Sequence, residues 1–156
     1  MIERFYPGSV IAGTNVSFLT KTQAEEKVHQ TIAKRLEKPL LFSHENNQKE
    51  LPVSADFFKQ EVSDAVKSAF QAGHSTLPKI SNSSKLNIIT SNSLRQSILQ
   101  LSSQLNIPPI DSELRIEQNQ INVTPSQSGL VVNENELTKI ISDYLNTGEL
   151  KSNKLP

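Results

Sequence analysis

The stretch from Pro108 to Gly148 constrains the fold of this 156-residue chain more than any other. Apolar and polar residues alternate in 113–117 and again in 120–124, and a short polar turn separates the two runs, which predicts a β-hairpin. An apolar stripe at helical spacing follows and ends at Gly148, which predicts an amphipathic helix. Four aliphatic residues of the hairpin are expected to face a core: Leu114, Ile116, Ile121 and Val123.

Polar turns in this stretch supply the candidate ligand contacts. The hairpin turn is centred on Gln118–Asn119, and Gly129 in the following SQSG turn is expected to take a positive backbone angle. Asp111 stands just before the hairpin, where an aspartate more often accepts hydrogen bonds from backbone amides than contacts a ligand. The residues that we select as ligand contacts are Asp111, Asn119, Ser126, Gln127, Ser128 and Gly129.

The whole chain repeats one pattern, in which a β-prone run leads through a capping residue into a helix of about three turns. The expected caps are Thr20 and Asn133, each in a capping box, together with Ser54 and either Ser91 or Asn92. Gly73 is expected to end the second helix in a left-handed conformation. The expected strands outside the C-terminal hairpin are Leu40–Ser43 and Lys49–Val53 as a first hairpin, then Leu86–Thr90 and Leu130–Val132.

Two hairpins among four helices disfavour a single parallel sheet. We therefore predict an α+β fold, with short, mostly antiparallel or mixed sheets and amphipathic helices packed on one face. The serine-containing HSTLPKISNSS segment divides the chain into an N-terminal half (1–74), a linker or crossover (75–84) and a C-terminal half (85–156). Both termini read as internal sequence, which indicates a domain of a longer protein.

Composition excludes several classes of function. The 16 basic and 16 acidic residues cancel, so the chain lacks the positive surface that nucleic acid or an anionic membrane requires. No apolar run is long enough to insert into a membrane. Since there is no cysteine, disulfides, thiolate metal sites and cysteine nucleophiles are excluded.

No motif indicates catalysis or a cofactor. His29, His44 and His74 lack metal-ligand spacing, so we expect them to be exposed or near helix ends. The acidic residues are scattered, and neither a serine-hydrolase elbow nor a phosphate-binding loop is present. Tyr6 and Tyr144 could face a carbohydrate, although Tyr144 lies on an apolar helix face that favours a core position. We predict a chain without catalytic residues, metal or cofactor.

Two stretches resemble a known family. Residues 5–28, FYPGSVIAGTNVSFLTKTQAEEKV, resemble the entry motif of VanW-like, vancomycin-resistance-associated proteins. Residues 108–141, PPIDSELRIEQNQINVTPSQSGLVVNENELTKII, resemble the hallmark of the peptidoglycan-binding domain that accompanies those proteins and some L,D-transpeptidases. The sequence departs from the pattern at Ser17–Phe18, where the family commonly has glycine, and at Ser112, where it usually has alanine.

The resemblance implies a non-catalytic module outside the cytoplasmic membrane that binds peptidoglycan, in a parent protein anchored to the membrane. Its partners would be peptidoglycan and the neighbouring domains of the same parent chain. An alternative is a structural spacer or protein-interaction domain that positions a neighbouring cell-wall enzyme. A hydrolase is the least favoured interpretation.

Overall fold

The structure is a computed structural model that describes residues 3–44, 47–74, 83–88, 91–117 and 120–151. It contains four α-helices and three small sheets, and the predicted α+β fold is confirmed. The polar turn at Glu45–Asn46, most of the predicted linker (75–82) and the hairpin turn at Gln118–Asn119 lie outside the described residues.

The chain opens with two short antiparallel strands, β1 (Val10–Ile11) and β2 (Thr14–Asn15), followed by helix α1 (Lys21–Arg35). The predicted capping box of α1 is confirmed, because Thr20 Oγ1 accepts from the Gln23 N–H and Gln23 Oε1 accepts from the Thr20 N–H. Phe18 has a φ of 63°. This left-handed backbone conformation is uncommon for a residue with a side chain.

The predicted first hairpin is confirmed as β3 (Leu40–His44) and β4 (Asn47–Leu51), paired in register from Leu40 with Leu51. Leu40, Phe42 and Leu51 are buried, so one face of this hairpin belongs to the core. Ser54 caps a 3₁₀ turn (Ala55–Phe58) that leads into helix α2 (Lys59–Gly73). The left-handed conformation predicted for Gly73 is wrong, since Gly73 is the last helical residue and lacks a positive φ.

The predicted strand Leu86–Thr90 is wrong over its described part. Strand β5 is instead Ser83–Ser84, which pairs in parallel with β1, while residues 85–88 are not assigned to a strand. At Leu86, a side chain forms the hydrogen bonds that a neighbouring strand would otherwise form. Asn146 Oδ1 accepts from the Leu86 N–H at 2.7 Å, and Asn146 Nδ2 donates to the Leu86 carbonyl at 3.2 Å.

Helices α3 (Asn92–Leu105) and α4 (Glu134–Thr147) form the C-terminal part of the core. Ser91 caps α3 as predicted and also donates to the Phe57 carbonyl at 3.1 Å, which ties α3 to the 3₁₀ turn. Asn133 caps α4 through the Glu136 N–H, but no return bond from the Glu136 side chain completes the predicted capping box. Gly148 ends α4, as predicted, and its φ is 81°.

Strands β6 (Glu113–Glu117) and β7 (Gln120–Thr124) form the predicted second hairpin. Two isolated bridges, Ile107 with Leu130 and Ile110 with Gln127, continue its pairing without an insertion in either arm. We call the whole unit, residues 107–130, the ribbon. The strand predicted at Leu130–Val132 is not formed, because Leu130 makes only an isolated bridge and the two residues that follow belong to no strand.

The core position predicted for the aliphatic residues of β6 and β7 is wrong. We call these residues the apolar face of the ribbon, and each is between 62% and 69% exposed: Leu114, Ile116, Ile121 and Val123. Cross-strand partners lie on the same face of a hairpin, and Leu114 pairs with Val123 as Ile116 pairs with Ile121. The four side chains therefore form one contiguous array. We call the described residues outside the ribbon the body, and no described part of the body covers this array.

Arg35 connects two segments that lie near opposite ends of the chain. Its Nη1 donates to the Ala12 carbonyl at 2.9 Å and to the Leu145 carbonyl in the last turn of α4, where a cation suits the helix dipole. Partial burial lowers the pKa of Arg35 from its ordinary value. Tyr144 donates its hydroxyl to the Arg35 carbonyl, which places Tyr144 beside the core rather than on an open surface.

A groove between helices α3 and α4

A groove of about 780 Å³ lies between α3 and α4. Apolar side chains form its floor, and hydroxyl, amide and charged groups form its walls. The floor comes from Ile88, Leu94 and Ile98, all of which are buried. The wall residues are Ser91, Arg95, Glu134, Asn135, Thr138, Lys139, Ser142 and Asp143.

The helical repeat explains how these walls arise. In α4, Leu137, Ile141 and Leu145 recur every four residues and are buried, which fixes one side of the helix against the core. Thr138, Ser142 and their neighbours lie beside that stripe and therefore border the groove. In α3 the same relation holds, because Arg95 follows directly after the buried Leu94.

Charges of both signs line the groove. The Arg95 guanidinium and the Lys139 ammonium are exposed and make no ion pair with any residue that the structure describes. Asp143 Oδ2 lies 3.9 Å from Lys151 Nζ, and Glu134 Oε1 accepts from Ser102 Oγ at 3.1 Å. The two cations are therefore available to an anionic ligand, while the two carboxylates are already partly engaged.

The ribbon leaves the body beside one end of this groove. Ser102, near the end of α3, contacts Glu134 in the first turn of α4, and Asn106 Oδ1 accepts from the Val132 N–H at 3.1 Å. These two contacts hold the last turn of α3 beside the first turn of α4, so the base of the ribbon is fixed to the body while its remaining length extends outward.

The described contact residues predicted from sequence lie along the ribbon and do not line the groove. Asp111, Ser126, Gln127, Ser128 and Gly129 are exposed, and Asn119 lies outside the described residues. The Gln127 backbone exchanges two hydrogen bonds with Ile110, at 2.9 and 3.0 Å. Contrary to the role favoured for Asp111, no described residue donates a backbone hydrogen bond to its carboxylate.

Gly129 is required for a reason other than the predicted one. Its φ is not positive, but a Cβ on this residue would lie 2.7 Å from the Ile107 carbonyl oxygen and 2.8 Å from Pro109 Cδ. Such distances are too short for nonbonded atoms, so a side chain at position 129 would force the arms apart at the base of the ribbon. Glycine therefore allows the two arms to approach.

The remaining candidates have structural partners. His74 Nδ1 lies 2.9 Å from the Phe70 carbonyl oxygen near the end of α2, and its ring stacks on Phe70 with centroids 4.0 Å apart. Tyr6 is partly exposed and lies against the His74 ring. His29 Nε2 is 3.7 Å from Asp56 Oδ1. His74 is thus near a helix end, as predicted, whereas His29 lies in the middle of α1 and is partly buried, and no described residue forms a hydrogen bond with its Nε2.

Within the described ranges, no group of three or more His, Cys, Asp or Glu side chains is placed to hold a metal ion. None of the described helices combines the length and the apolar character that crossing a membrane requires.

The groove was missed from sequence because its walls come from segments more than 30 residues apart. Arg95 and Lys139 are ordinary surface cations in their own helices, and only the packing of α3 against α4 brings both to one concavity. The available signal was a column of polar residues bordering each apolar stripe. That signal is weak, because most amphipathic helices carry one.

Comparison with known proteins identifies the family of the chain. No curated protein and no solved structure matches the chain. A family model described as "Putative peptidoglycan binding domain" matches residues 58–153, which is more than half of the chain and includes α2, α3, the groove, the ribbon and α4. The match begins after the segment that resembles VanW-like proteins, so that narrower resemblance stays a prediction. The chain therefore belongs to the peptidoglycan-binding domain family.

Proposed function

We propose that this chain is a non-catalytic module that binds peptidoglycan outside the cytoplasmic membrane, with the groove between α3 and α4 as its main contact. One observation carries the proposal: the groove between α3 and α4 lies within the family-matched residues and presents, over an apolar floor, two cations that form no ion pair with any described residue. Membership of the family supports the ligand, and the geometry of the groove supports the location of the contact.

The chemistry of the groove suits the peptide part of peptidoglycan. Stem peptides carry carboxylates, amides and small apolar side chains on a short, extended backbone. Arg95 can form a bidentate pair with a carboxylate, and Lys139 adds a second positive charge. Asn135, Thr138 and Ser142 offer groups that can pair with peptide amides, while the aliphatic floor accepts methyl groups.

The polar residues of the ribbon base extend this contact in the proposal. Ser126, Ser128 and Asp111 are exposed on the part of the ribbon that lies nearest the body. Hydroxyl and carboxylate groups of this kind pair with sugar hydroxyls, so a glycan strand could lie along the base while its peptide enters the groove. Gln127 and Gly129 belong to the same proposed surface, and Asn119, which lies outside the described residues, is proposed as a separate contact from sequence alone.

The absence of catalysis is part of the proposal and is supported by the character of the groove. Hydrolysis of a glycosidic bond needs two carboxylates facing each other across the substrate, one of them with a raised pKa. The two groove carboxylates, Glu134 and Asp143, lie about two and a half helical turns apart on α4, roughly 13 Å along its axis. Each of these carboxylates is also partly engaged, Glu134 with Ser102 and Asp143 with Lys151.

Binding to purified sacculi tests the proposal. We expect the wild-type chain to sediment with sacculi, and the double variant Arg95→Gln, Lys139→Gln to bind at least tenfold more weakly, because each lost charged hydrogen bond costs about 1.5–3 kcal/mol. The matched control is Lys67→Gln, which removes an exposed cation from α2 away from the groove.

Two outcomes would contradict the proposal. If the wild-type chain is not enriched on sacculi relative to an unrelated neutral domain, peptidoglycan is not its ligand. If the groove variant and the Lys67→Gln control bind equally well, the ligand contact lies elsewhere. Addition of soluble stem peptide should release the wild-type chain, whereas release only by glycan fragments would assign the contact to the sugar.

A second candidate function is a spacer or protein-interaction domain that positions a neighbouring enzyme, in a parent protein anchored to the membrane. The observation that favours it is the exposed apolar face of the ribbon, since such a face is typical of protein contacts. In this case the chain alone would show no affinity for sacculi, while removal of the ribbon would impair the neighbouring domain.

A further inference from the structure

The ribbon is amphipathic, although no described part of the body covers it. On β6 and β7 the apolar face is wholly aliphatic, while the opposite face carries Glu113, Arg115, Asn122 and Thr124. Arg115 Nε and Glu113 Oε1 form an exposed ion pair at 3.1 Å on this polar face. The sequence thus separates the two faces as it would for a hairpin packed against another layer.

A two-stranded hairpin with an exposed aliphatic face is marginal by itself. Such hairpins usually need a third strand or a packed layer for stability. From Ile107 to Glu117 the ribbon extends roughly 30 Å, and it is fixed to the body only at its base. A layer supplied from outside the single chain would therefore stabilise it.

We propose that the layer is the ribbon of a second copy of this chain, with the two apolar faces stacked about a two-fold axis. The array suits such a contact, because its two cross-strand pairs, Leu114–Val123 and Ile116–Ile121, have similar size and shape. A two-fold interface requires a surface that fits itself, and a row of aliphatic pairs meets this requirement.

Charge also favours a second copy. The apolar face contains no charged residue, so two copies bring no like charges together at the contact. Two charged groups of each hairpin, Arg115 and Glu113, pair with each other on the opposite face. The chain as a whole has a formal net charge of zero, and approach of two copies meets no long-range repulsion.

The available area sets the strength of the contact. The four side chains expose roughly 300 Å² of apolar surface per copy. Since apolar atoms make up about 60% of a protein interface, two stacked ribbons would bury roughly 1,000 Å² in total. This value is at the lower limit for specific complexes, so the dimer is weak and exchanges rapidly.

On a polymeric ligand, even a weak dimer has a clear consequence. Two linked modules bind a repeating polymer more tightly than one, because the second binding event occurs within the complex. The dimer itself does not depend on the identity of the ligand, so its test separates it from the function proposed above.

Sedimentation velocity over a protein concentration series tests the dimer. We expect the wild-type chain to shift from monomer towards dimer between about 10 µM and 1 mM, the range for a contact of this size. Ile116→Ser combined with Ile121→Ser should remain monomeric throughout. The matched control, Leu99→Ser, removes a 44% exposed aliphatic residue from α3 and should behave as wild type.

Crosslinking identifies the face, and the lack of native cysteine makes single-thiol variants selective. A short bis-maleimide should join Ile121→Cys into dimers and leave Asn122→Cys monomeric, since these neighbours lie on opposite faces of β7. A wild-type chain that stays monomeric at 1 mM would overturn the proposal. So would equal crosslinking of the two variants, which would indicate edge-to-edge pairing or random collision. Circular dichroism spectra show whether each variant is folded.

Discussion

The two hairpins of this protein have the same strand lengths and a similar pairing pattern, but only the first has its apolar face buried. Both contain two five-residue strands in antiparallel register, joined by a polar turn. In β3–β4 one face is buried, and Phe42 is fully enclosed in the core. In β6–β7 the aliphatic face is almost two-thirds exposed. Alternation of apolar and polar residues therefore predicts a hairpin and its two faces, but not what will cover the apolar one.

Removing one large side chain from each hairpin should produce the largest difference. Phe42→Ala leaves a cavity in the core, and we expect it to lower the free energy of unfolding by about 3–5 kcal/mol. Ile116→Ala removes a side chain that is already in water, and we expect a change within about 0.5 kcal/mol in the monomer.

Urea denaturation at low micromolar concentration measures both values. Equal losses of unfolding free energy would show that the ribbon packs against the body in solution. The two hairpins would then not differ in the burial of their apolar faces.

The second prediction concerns the side chain that replaces a strand in the packed region. Asn146→Ala leaves the Leu86 N–H and carbonyl without their partner in a buried site, and we expect a loss of about 1–3 kcal/mol. Asn146→Asp keeps an acceptor for the Leu86 N–H but loses the donor. A melting temperature within 1 °C of wild type for Asn146→Ala would contradict this role.

The third prediction concerns the close approach of the two arms at the base of the ribbon. Gly129→Ala places a Cβ against the Ile107 carbonyl and Pro109, so the two arms must separate locally. We expect the cross-strand contacts between Ile107 and Leu130 to be lost in NMR spectra, while the unfolding midpoint of the body changes little. Ser128→Ala is the control on the neighbouring residue. Unchanged contacts in Gly129→Ala would show that the close approach is not essential.

The smallest effect is electrostatic and lies beside the packed hairpin. The ammonium of Lys59, 2.9 Å from Asp56, holds the pKa of the Asp56 carboxyl below its ordinary value of 3.8. Because the folded-state pKa is depressed, the ion pair stabilises the fold at neutral pH. That contribution is lost as the pH falls through the folded-state pKa.

Titration of the Asp56 carboxyl by carbon-detected NMR should give a lower pKa in wild type than in Lys59→Gln. Identical titration curves would show that Lys59 does not lower the pKa of Asp56.

Sequence reasoning succeeded where the determinants are local. The capping box at Thr20, the cap at Ser91 and the end of α4 at Gly148 each depend on a few neighbouring residues, and the structure contains all three. Both hairpins were predicted within about two residues of their observed bounds.

Prediction failed where contacts between segments distant in the sequence determine the structure. Leu86 and Ile88 are buried as a strand would be, yet a side chain from α4 takes the place of a neighbouring strand. The groove cations Arg95 and Lys139 come together only through helix packing. The apolar face of the ribbon was assigned to a core because its pattern is that of a half-buried strand, and nothing local records which surface lies opposite.

Hydrogen exchange of the two hairpins at low protein concentration tests most directly the claim that the ribbon is free in a single chain. We expect amides of β3–β4 to exchange only by near-global unfolding, and those of β6–β7 to exchange by an opening that costs far less. Raising the concentration should slow exchange in β6–β7 alone. Equal protection of both hairpins in dilute solution would contradict the account, because it would place the second hairpin in the core as well.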